Sequence, residues 1–282
     1  MRQEFPEMQG FSKRNLEHMR RFALLYPKIE FAKQAVSQLP WGHVVRLMQM
    51  IKDGVEREWY AIQTIKNGWS RSVLEMQIEG ELYGRQAESS KKINNFHKQL
   101  PALQSDLANE MLKDPYNFDF LTIQGKARER AIEDALVTHI RDFLIELGQG
   151  FAFVGSQVPL AFDDQEFFID LLFYHLHLRA FVVIELKAGK FKPEHTGQLG
   201  FYMAAVEDLM HKEGDNQTIG ILLCKSKHKV VAEYALRNMG APIGISEYTL
   251  AKALPKELKT NLPTVEEIEQ ELNEAINSGA DE

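Results

Sequence analysis

Cysteine is almost missing from this sequence, since Cys224 is the only one among 282 residues. One thiol cannot form a disulfide within its own chain, so a fold held together by disulfides is excluded. Cys224 ends the apolar run 218–224, which favours a small buried hydrophobe over a reactive thiol or a metal ligand.

Long apolar runs are missing as well. No stretch approaches the roughly 18 residues of a membrane-spanning helix, and the first ten residues lack the hydrophobic core of a signal peptide. The sequence also has no internal repeat and no low-complexity tract, which excludes solenoids and fibres. We therefore expect a cytoplasmic, globular protein of two domains without a membrane partner.

Positive charge is in deficit, because the formal net charge is −7. The deficit is uneven: residues 1–120 hold 17 Lys and Arg against 15 Asp and Glu, and the remainder holds 16 against 25. Eight acids and only two lysines lie in residues 255–282. The negative total therefore describes this tail more than any binding surface, and a nucleic acid partner is not excluded.

Residues 1–112 show the three- and four-residue spacing of apolar side chains that is typical of amphipathic helices. With Ser12 and Ser70 as capping residues, this spacing predicts helices near 12–26, 41–52, 56–66 and 71–78. Short helices joined by tight turns predict a helical amino-terminal domain over 1–112 with a helix-turn-helix-like arrangement.

The middle stretch, about 84–118, is polar and is interpreted as a linker between domains. After it, the pattern predicts a helix at 127–147, strands at 151–160, 167–174, 180–187 and 218–224, and a helix at 194–208. This alternation predicts a second domain over 119–254, of the α/β or α+β class with a mixed sheet. Residues 255–282 are expected to form an acidic helical tail.

The strand-like runs 167–174 and 180–187 each carry charge where a buried strand should have none. Isolated charge in such a place costs several kcal/mol unless it is paired or holds a metal. Glu185 and Lys187 are two residues apart and so point to the same face of their strand. If the two runs form a hairpin, Asp170 lies close to that pair. The pattern predicts a site of two carboxylates and one ammonium.

A divalent cation is the natural occupant of this site, because two converging carboxylates otherwise repel each other. Mg²⁺ prefers oxygen ligands and is usually held by one or two carboxylates, several waters and a substrate phosphate. We predict Asp170 and Glu185 as ligands of Mg²⁺, with Mn²⁺ as a substitute, in a phosphodiester hydrolase. In that chemistry Lys187 orients the attacking water and neutralises charge on the phosphate.

Asp170, fourteen intervening residues and then Glu185-Leu-Lys187 resemble the motif of the PD-(D/E)XK nuclease superfamily, with Ile169 in place of the motif's proline. The wider text resembles the YhcG-type bacterial nucleases in the segments Gly150–Val158, Asp170–His175, Val183–Gly189 and Gly197–Tyr202, and resembles their helical amino-terminal domain in Leu39-Pro-Trp and Asn67-Gly-Trp-Ser70.

This resemblance covers about residues 5 to 250 and has several implications. The second domain is expected to have the restriction-endonuclease-like α/β/α fold with a mixed central sheet. The expected activity is Mg²⁺-dependent endonucleolytic hydrolysis of DNA by a homo-oligomer. Family members usually carry further helical sequence ahead of the point where this chain begins, which leaves open whether the first domain is complete.

The resemblance also implies roles for further residues. Glu133 matches an acid that joins the metal site, and Gln198 matches a glutamine placed near it. Tyr202 lies one helical turn after Gln198 and shares its face. Gln157 is expected to line the same cleft, and His195, near the start of its helix, is a candidate phosphate contact.

Plainer interpretations stay open for these residues. The plain alternative for Asp170, Glu185 and Lys187 is a buried structural ion pair between one acid and the lysine, which leaves the second acid unexplained. Glu133 would be a solvated carboxylate at the flank of a helix. For Gln198, Tyr202 and the histidine the plain alternatives are helix packing and solvated surface.

Histidines and aromatic residues outside this set are interpreted as structural. His175 and His177 are two apart, as in some metal sites, but a solvated hairpin loop is the preferred interpretation. Trp41 and Trp69 are interpreted as core anchors. Arg71 lies beside one of them, so direct contact of the first domain with DNA stays open.

The main rival function is a nucleic-acid-binding or partner-binding module whose nuclease fold has lost activity. The presence of all three motif residues argues against it. A nuclease for RNA or for branched structures is a further alternative, and the sequence does not separate these substrates.

Overall fold

The computed structural model describes residues 11–26, 35–86, 92–121, 123, 128–162 and 165–250. The helices are α1 (Lys13–Leu25), α2 (Trp41–Met50), α3 (Gly54–Asn67), α4 (Arg71–Glu79), α5 (Leu82–Gln86), α6 (Phe96–Gln99), α7 (Ala102–Met111), α8 (Glu129–Thr138), α9 (Ile140–Leu147), α10 (Glu194–Met210) and α11 (Lys229–Leu236), with a 3₁₀ turn at Ala35–Gln38. The strands are β1 (Ile93–Asn94), β2 (Tyr116–Phe118), β3 (Phe151–Phe162), β4 (Gln165–His175), β5 (Ala180–Lys190), β6 (Ile219–Ser226) and β7 (Ile243–Leu250). Across these described ranges, no helix is long and apolar enough to span a bilayer.

The first helices begin at residues whose side chains satisfy free backbone groups. Ser12, Asp53 and Ser70 each accept a hydrogen bond from the backbone N–H three residues later. Helix α3 ends at Gly68, whose φ of 61° is the left-handed conformation that glycine adopts without strain. The four helices predicted from the sequence are confirmed, to within a few residues at their ends.

Helices α2 to α5 bury a hydrophobic cluster of their own. Leu47, Tyr60 and Leu74 are fully buried at its centre. Trp41 and Trp69 pack against it as partly buried side chains, so their interpretation as core anchors is confirmed.

The sheet joins its strands in the order β1-β7-β6-β5-β4-β3, with β2 also paired to β7. Strands β3, β4 and β5 are antiparallel, whereas β5, β6 and β7 are parallel. Leu136 and Phe143 of α8 and α9 belong to the core on one face, and Leu199 and Leu236 of α10 and α11 belong to the core on the other. The predicted α/β/α arrangement around a mixed sheet is confirmed.

Several details of this domain differ from the sequence prediction. The single helix expected at 127–147 is two helices, because the backbone of His139 leaves the helical conformation between α8 and α9. Helix α11 and strand β7 were not expected. Strand β7 carries Gly244 and Ser246 inside its run, which weakens the apolar pattern by which a buried strand is recognised. The helix predicted in the acidic tail lies outside the described residues.

The predicted linker is wrong over residues 92–118, because this segment belongs to the sheet and its core. Strand β1 pairs with β7 antiparallel, and β2 pairs with it parallel. The polarity of the segment is structural: Asn95 Oδ1 accepts from the backbone N–H of Ile243 at 2.8 Å, and its amide donates to the carbonyl of Ala241 at 2.9 Å. The division into two domains stays a prediction.

A buried ion cluster ties the amino-terminal helices to the sheet domain. Arg85 of α5 pairs with Glu146 of α9, and the side chains are only 10% and 7% exposed. Lys113 lies 3.8 Å from the same carboxylate, and the backbone N–H of Asn117 donates to it at 2.9 Å. Burial lowers the pKa of Lys113 to about 8. The cluster brings together residues from three parts of the chain.

Removing the acid of this cluster should destabilise the protein strongly. Glu146→Ala leaves Arg85 and Lys113 buried without a counter-charge, so we expect a loss of about 3–5 kcal/mol in the free energy of unfolding, measured in urea. The control is Glu110→Ala, because Glu110 pairs with Lys66 but the two side chains are 57% and 48% exposed. It should cost under about 1 kcal/mol. Equal effects of the two substitutions would contradict the role of the cluster.

Candidate active site

The site forms where β4 and β5 stop pairing. The antiparallel ladder runs from His175↔Ala180 to Leu171↔Ile184, and Asp170 follows directly beyond it. Its Oδ2 atom accepts a hydrogen bond from the backbone N–H of Leu186 at 2.9 Å. The carboxylate thereby takes the position of a strand partner for that N–H, which holds Asp170 against the end of β5. The predicted hairpin is confirmed.

Gln157 connects two acids across the edge strand. The flanking pairs Ser156↔Leu171 and Val158↔Ile169 place it opposite Asp170, and its φ is 47°. A left-handed conformation costs a residue with a side chain roughly 1–2 kcal/mol. Its amide donates to Asp170 Oδ1 at 3.3 Å and to Glu133 Oε2 at 2.7 Å. The strained backbone therefore directs one donor at two carboxylates.

Lys187 and Glu185 meet on one face of β5, as the sequence predicts. Lys187 Nζ donates to Glu185 Oε1 at 2.7 Å, and the two side chains are 12% and 2% exposed. Lys187 Nζ also lies 3.9 Å from Glu129 Oε2. Glu129 Oε1 accepts from the backbone N–H of Ala188 at 3.1 Å, so α8 is bound to the end of β5.

Glu129 is a site residue that the sequence analysis missed. It precedes Glu133 by four residues in the same helix, and this spacing puts both on one helical face. The spacing was the available signal. Glu129 extends the acidic set from α8 to the neighbourhood of Lys187.

Burial and mutual repulsion favour the protonated form of these acids. Burial first, and then the charge of Asp170, raise the pKa of Glu133 to about 7. The same two causes raise the pKa of Glu185, and burial raises the pKa of Asp170. Burial acts to lower the pKa of Lys187, but the hydrogen bond to Glu185 and the charges of Glu185, Glu129 and Asp170 together outweigh burial and leave the pKa above its usual value. The site is therefore short of positive charge.

Two buried oxygens show that the residues fit a cation. Glu133 Oε1 and Glu185 Oε2 have no hydrogen-bond partner in the described part of the chain. Buried carboxylate oxygens without partners are costly, and a cation would satisfy them. No three acids, histidines or cysteines of the described residues are grouped closely enough to hold one ion together. The arrangement thus fits a cation such as Mg²⁺, which takes one or two carboxylates and keeps its waters.

The structure places the remaining predicted residues around α10. The Gln198 amide is exposed and donates to the hydroxyl of buried Tyr202 at 3.0 Å. The contacts described for these two residues therefore join them to each other rather than to the carboxylates. The His195 Nδ1 atom accepts from the backbone N–H of Lys192 at 3.3 Å, and burial, followed by the charge of Lys187, lowers its pKa. The roles predicted for all three stay predictions.

The interpretation of His175 as a solvated loop residue is wrong. His175 ends β4 and is 4% exposed, and its Nδ1 atom accepts from the backbone N–H of Leu178 at 3.1 Å. Burial lowers its pKa to about 4, which keeps the imidazole neutral. Hydrophobic side chains at the end of the strand cover the imidazole ring, and its hydrogen bond to Leu178 closes the hairpin turn. His177 is exposed, as expected.

Comparisons with known proteins give two family matches. Residues 109–263 match the family described as the YhcG PDDEXK nuclease domain, and residues 1–85 match the DUF1016 N-terminal domain. A protein of Escherichia coli (strain K12), named "Putative nuclease YhcG", is 32% identical over 292 aligned residues. The alignment covers 93% of this chain and 78% of that protein.

Solved structures match a smaller part of the chain. A repair endonuclease from Pyrococcus abyssi has 19% identity and a TM-score of 0.31 over 46% of this chain and 50% of its own. A structure of an EndoMS-dsDNA2 complex has 18% identity and a TM-score of 0.31 over 47% and 49%. The match spans about half the length of each of those chains.

The raised pKa of Glu133 predicts how stability depends on pH without divalent metal. Because its pKa is about 7 in the fold against 4.5 ordinarily, its contribution is complete below pH 4.5 and is lost as the pH rises through 7. Glu133→Gln stays neutral. In EDTA, the free energy of unfolding of the variant relative to wild type should be about 3 kcal/mol higher at pH 8 than at pH 4.5, measured by urea unfolding.

The control for this measurement is Asp134→Asn. Asp134 follows in the same helix with a side chain 62% exposed, so its substitution should show no comparable pH dependence. A Glu133→Gln difference from wild type that stays constant from pH 4.5 to pH 8 would contradict the burial of an ionised Glu133.

Proposed function

The chain belongs to the family of the YhcG PDDEXK nuclease domain, and we propose that it is a Mg²⁺-dependent endonuclease that hydrolyses phosphodiester bonds in DNA. One observation carries the proposal. Gln157 joins Asp170 to Glu133, Lys187 pairs with Glu185 on the neighbouring strand, and Glu133 and Glu185 each keep a buried oxygen that no described residue bonds.

Asp170 and Glu185 would hold the cation, with Glu133 as a further contributor. The cation, when bound, supplies a lowered pKa for a bound water and stabilises negative charge that develops on the phosphate. The chain supplies the positions of its ligands. Asp170 is held by the Leu186 N–H and by Gln157, so its carboxylate keeps its orientation without help from solvent.

Lys187 would act on the reacting phosphate itself. It keeps its proton at neutral pH, because the hydrogen bond to Glu185 and the charges of the neighbouring acids raise its pKa against the effect of burial. A protonated lysine has three donors, and Glu185 takes one of them at 2.7 Å. The others are available to orient the attacking water and to neutralise charge on the phosphate oxygens.

DNA as substrate is what the family resemblance implies, and an inactive binding module is the alternative. Purified protein incubated with linear, supercoiled, single-stranded and branched DNA and with RNA, each with Mg²⁺, Mn²⁺ or EDTA, separates these possibilities. We expect cleavage of DNA with either metal and none in EDTA. If no substrate is cleaved, the binding module is favoured. If RNA alone is cleaved, the substrate is RNA and not DNA.

Substitutions at the ligands and at the lysine should have different consequences. Asp170→Asn and Glu185→Gln preserve shape but remove the charge that holds the cation, so Mn²⁺ affinity by calorimetry should fall at least about tenfold. Cleavage should fall by about 10²–10³-fold. Lys187→Met should reduce cleavage as much but retain Mn²⁺ affinity, because it frees Glu185 Oε1 rather than removing it.

Exposed residues of the same types provide the controls. Asp106→Asn and Lys212→Met each remove one charge from an exposed position on another element and should leave cleavage and Mn²⁺ affinity within about twofold of wild type. Wild-type protein that binds no Mn²⁺, or that binds it equally well without Asp170, would contradict the assignment of the ligands.

A further inference from the structure

We propose that a basic ridge beside the candidate active site binds the backbone phosphates of the DNA that flank the scissile bond. The ridge consists of Lys190, Lys192, Lys225 and Lys229, at and beyond the carboxyl ends of β5 and β6. This inference rests on the proposed function, since it names the surface on which the bound DNA continues beyond the active site.

The parallel pairing of β5 and β6 brings the ridge together. Lys187 pairs with Cys224, and Lys190 pairs with Ser226, so the two strands end at the same edge of the sheet. The backbone N–H of Phe191 continues the contact by donating to Ser226 O at 2.8 Å. Residues that follow β5 therefore lie beside residues that follow β6, although they are far apart in sequence.

The ridge concentrates positive charge in a protein whose net charge is −7. Residues 225–229 read Lys-Ser-Lys-His-Lys, without an acid. Lys190 and Lys225 are exposed, and neither pairs with an acid of the described residues. Lys192 and Lys229 have only exposed partners, at 3.1 Å and 3.9 Å, which water and salt screen.

Lys227 does not belong to this surface, because its side chain is 7% exposed and pairs with buried Asp114. The ion pair therefore fixes the backbone at the end of β6, on which the neighbouring lysines lie. This anchoring matters for binding, since a lysine on a fixed backbone loses less freedom when it contacts a phosphate than one on a mobile loop.

The ridge is continuous with the candidate active site. Lys187 of the site and Lys190 of the ridge lie on the same strand, opposite Cys224 and Ser226 of β6. A register shift lies between Lys187 and Lys190, and the partner strand advances only two residues over the same stretch, which corresponds to about 7 Å. That length matches the rise of about two nucleotides in one DNA strand, at 3.4 Å for each phosphate. A strand whose phosphate meets Lys187 would thus pass over the ridge.

The test compares two double variants in which two exposed lysines become glutamine. Lys190→Gln/Lys225→Gln removes ridge charge, and Lys52→Gln/Lys212→Gln removes the same charge from exposed positions outside the ridge. Affinity for a fluorescent 30-base-pair duplex is measured in EDTA over a series of salt concentrations. Unfolding midpoints of both variants should equal that of wild type, because the positions are exposed.

We expect the ridge variant to bind about 10- to 50-fold more weakly at 0.1 M salt, with the slope of log affinity against log salt reduced by about 1.8, or 0.9 for each lost phosphate contact. With Mg²⁺ its KM should rise while kcat stays within about twofold, since the ridge does not touch the reacting atoms. The control variant should retain wild-type affinity and slope. Equal losses in both variants, or an unchanged slope in the ridge variant, would overturn the proposal.

Other nucleic acids define the class of ligand. Equal-length single-stranded DNA and RNA bound more weakly by the ridge variant would support recognition of phosphates, whereas a loss confined to RNA would overturn the assignment to DNA. Failure of the ridge is distinct from failure of the proposed function. A wild-type protein that cleaves DNA but shows no ridge effect refutes only the ridge, and one that binds through the ridge without cleaving refutes only the nuclease.

Discussion

The separation of β4 from β5 after the Leu171↔Ile184 pair is the feature on which the candidate site depends. Where the strands pair, every backbone group is satisfied and the side chains pack in an apolar core. One residue further the ladder ends, and Asp170 meets a backbone N–H that has lost its strand partner. The donor replaces part of the water that burial removes, so it offsets part of the cost of burying the carboxylate, although burial still raises the pKa of Asp170.

The same place is unfavourable for the other acids, because their buried charge is not fully compensated. This uncompensated charge is what suits the site to a cation. Glu133 and Glu185 are almost completely buried, yet each has an oxygen that no residue of the described ranges bonds. The strained Gln157 and the single ammonium of Lys187 compensate only part of the negative charge. A fold selected for stability alone would favour apolar residues here. The remaining deficit of positive charge is what a divalent cation would make up, and it is a cost to the metal-free protein.

Ion pairs elsewhere in the molecule have a different purpose. The Arg85 and Glu146 pair has its hydrogen bonds satisfied on both sides, and it connects the first helices with α9. The Lys227 and Asp114 pair likewise holds the end of β6 against the segment that precedes β2. Buried charge is therefore structural where its partners are complete and a candidate for chemistry where they are not. The second condition applies to the carboxylates around Lys187.

Much of this organisation follows from local sequence pattern. The caps at Ser12 and Ser70, the apolar runs of the central strands and the spacing of Asp170, Glu185 and Lys187 are local features, and they predicted the first helices, the hairpin and the central site residues. The alternation of side chains along a strand has a period of two, so it places Glu185 and Lys187 on one face whatever the rest of the chain does.

Tertiary structure alone decided the rest, because it depends on partners that are distant in the chain. Residues 92–118 looked like a linker since their polar side chains pair with backbone groups more than a hundred residues away, as Asn95 does with Ile243. Glu129 gains its place only when α8 docks on β5. His175 is buried because Phe151, from another strand, covers it. The sequence by itself determined which residues carry charge into apolar strands, and the packing of distant segments determined which of those charges are left without partners.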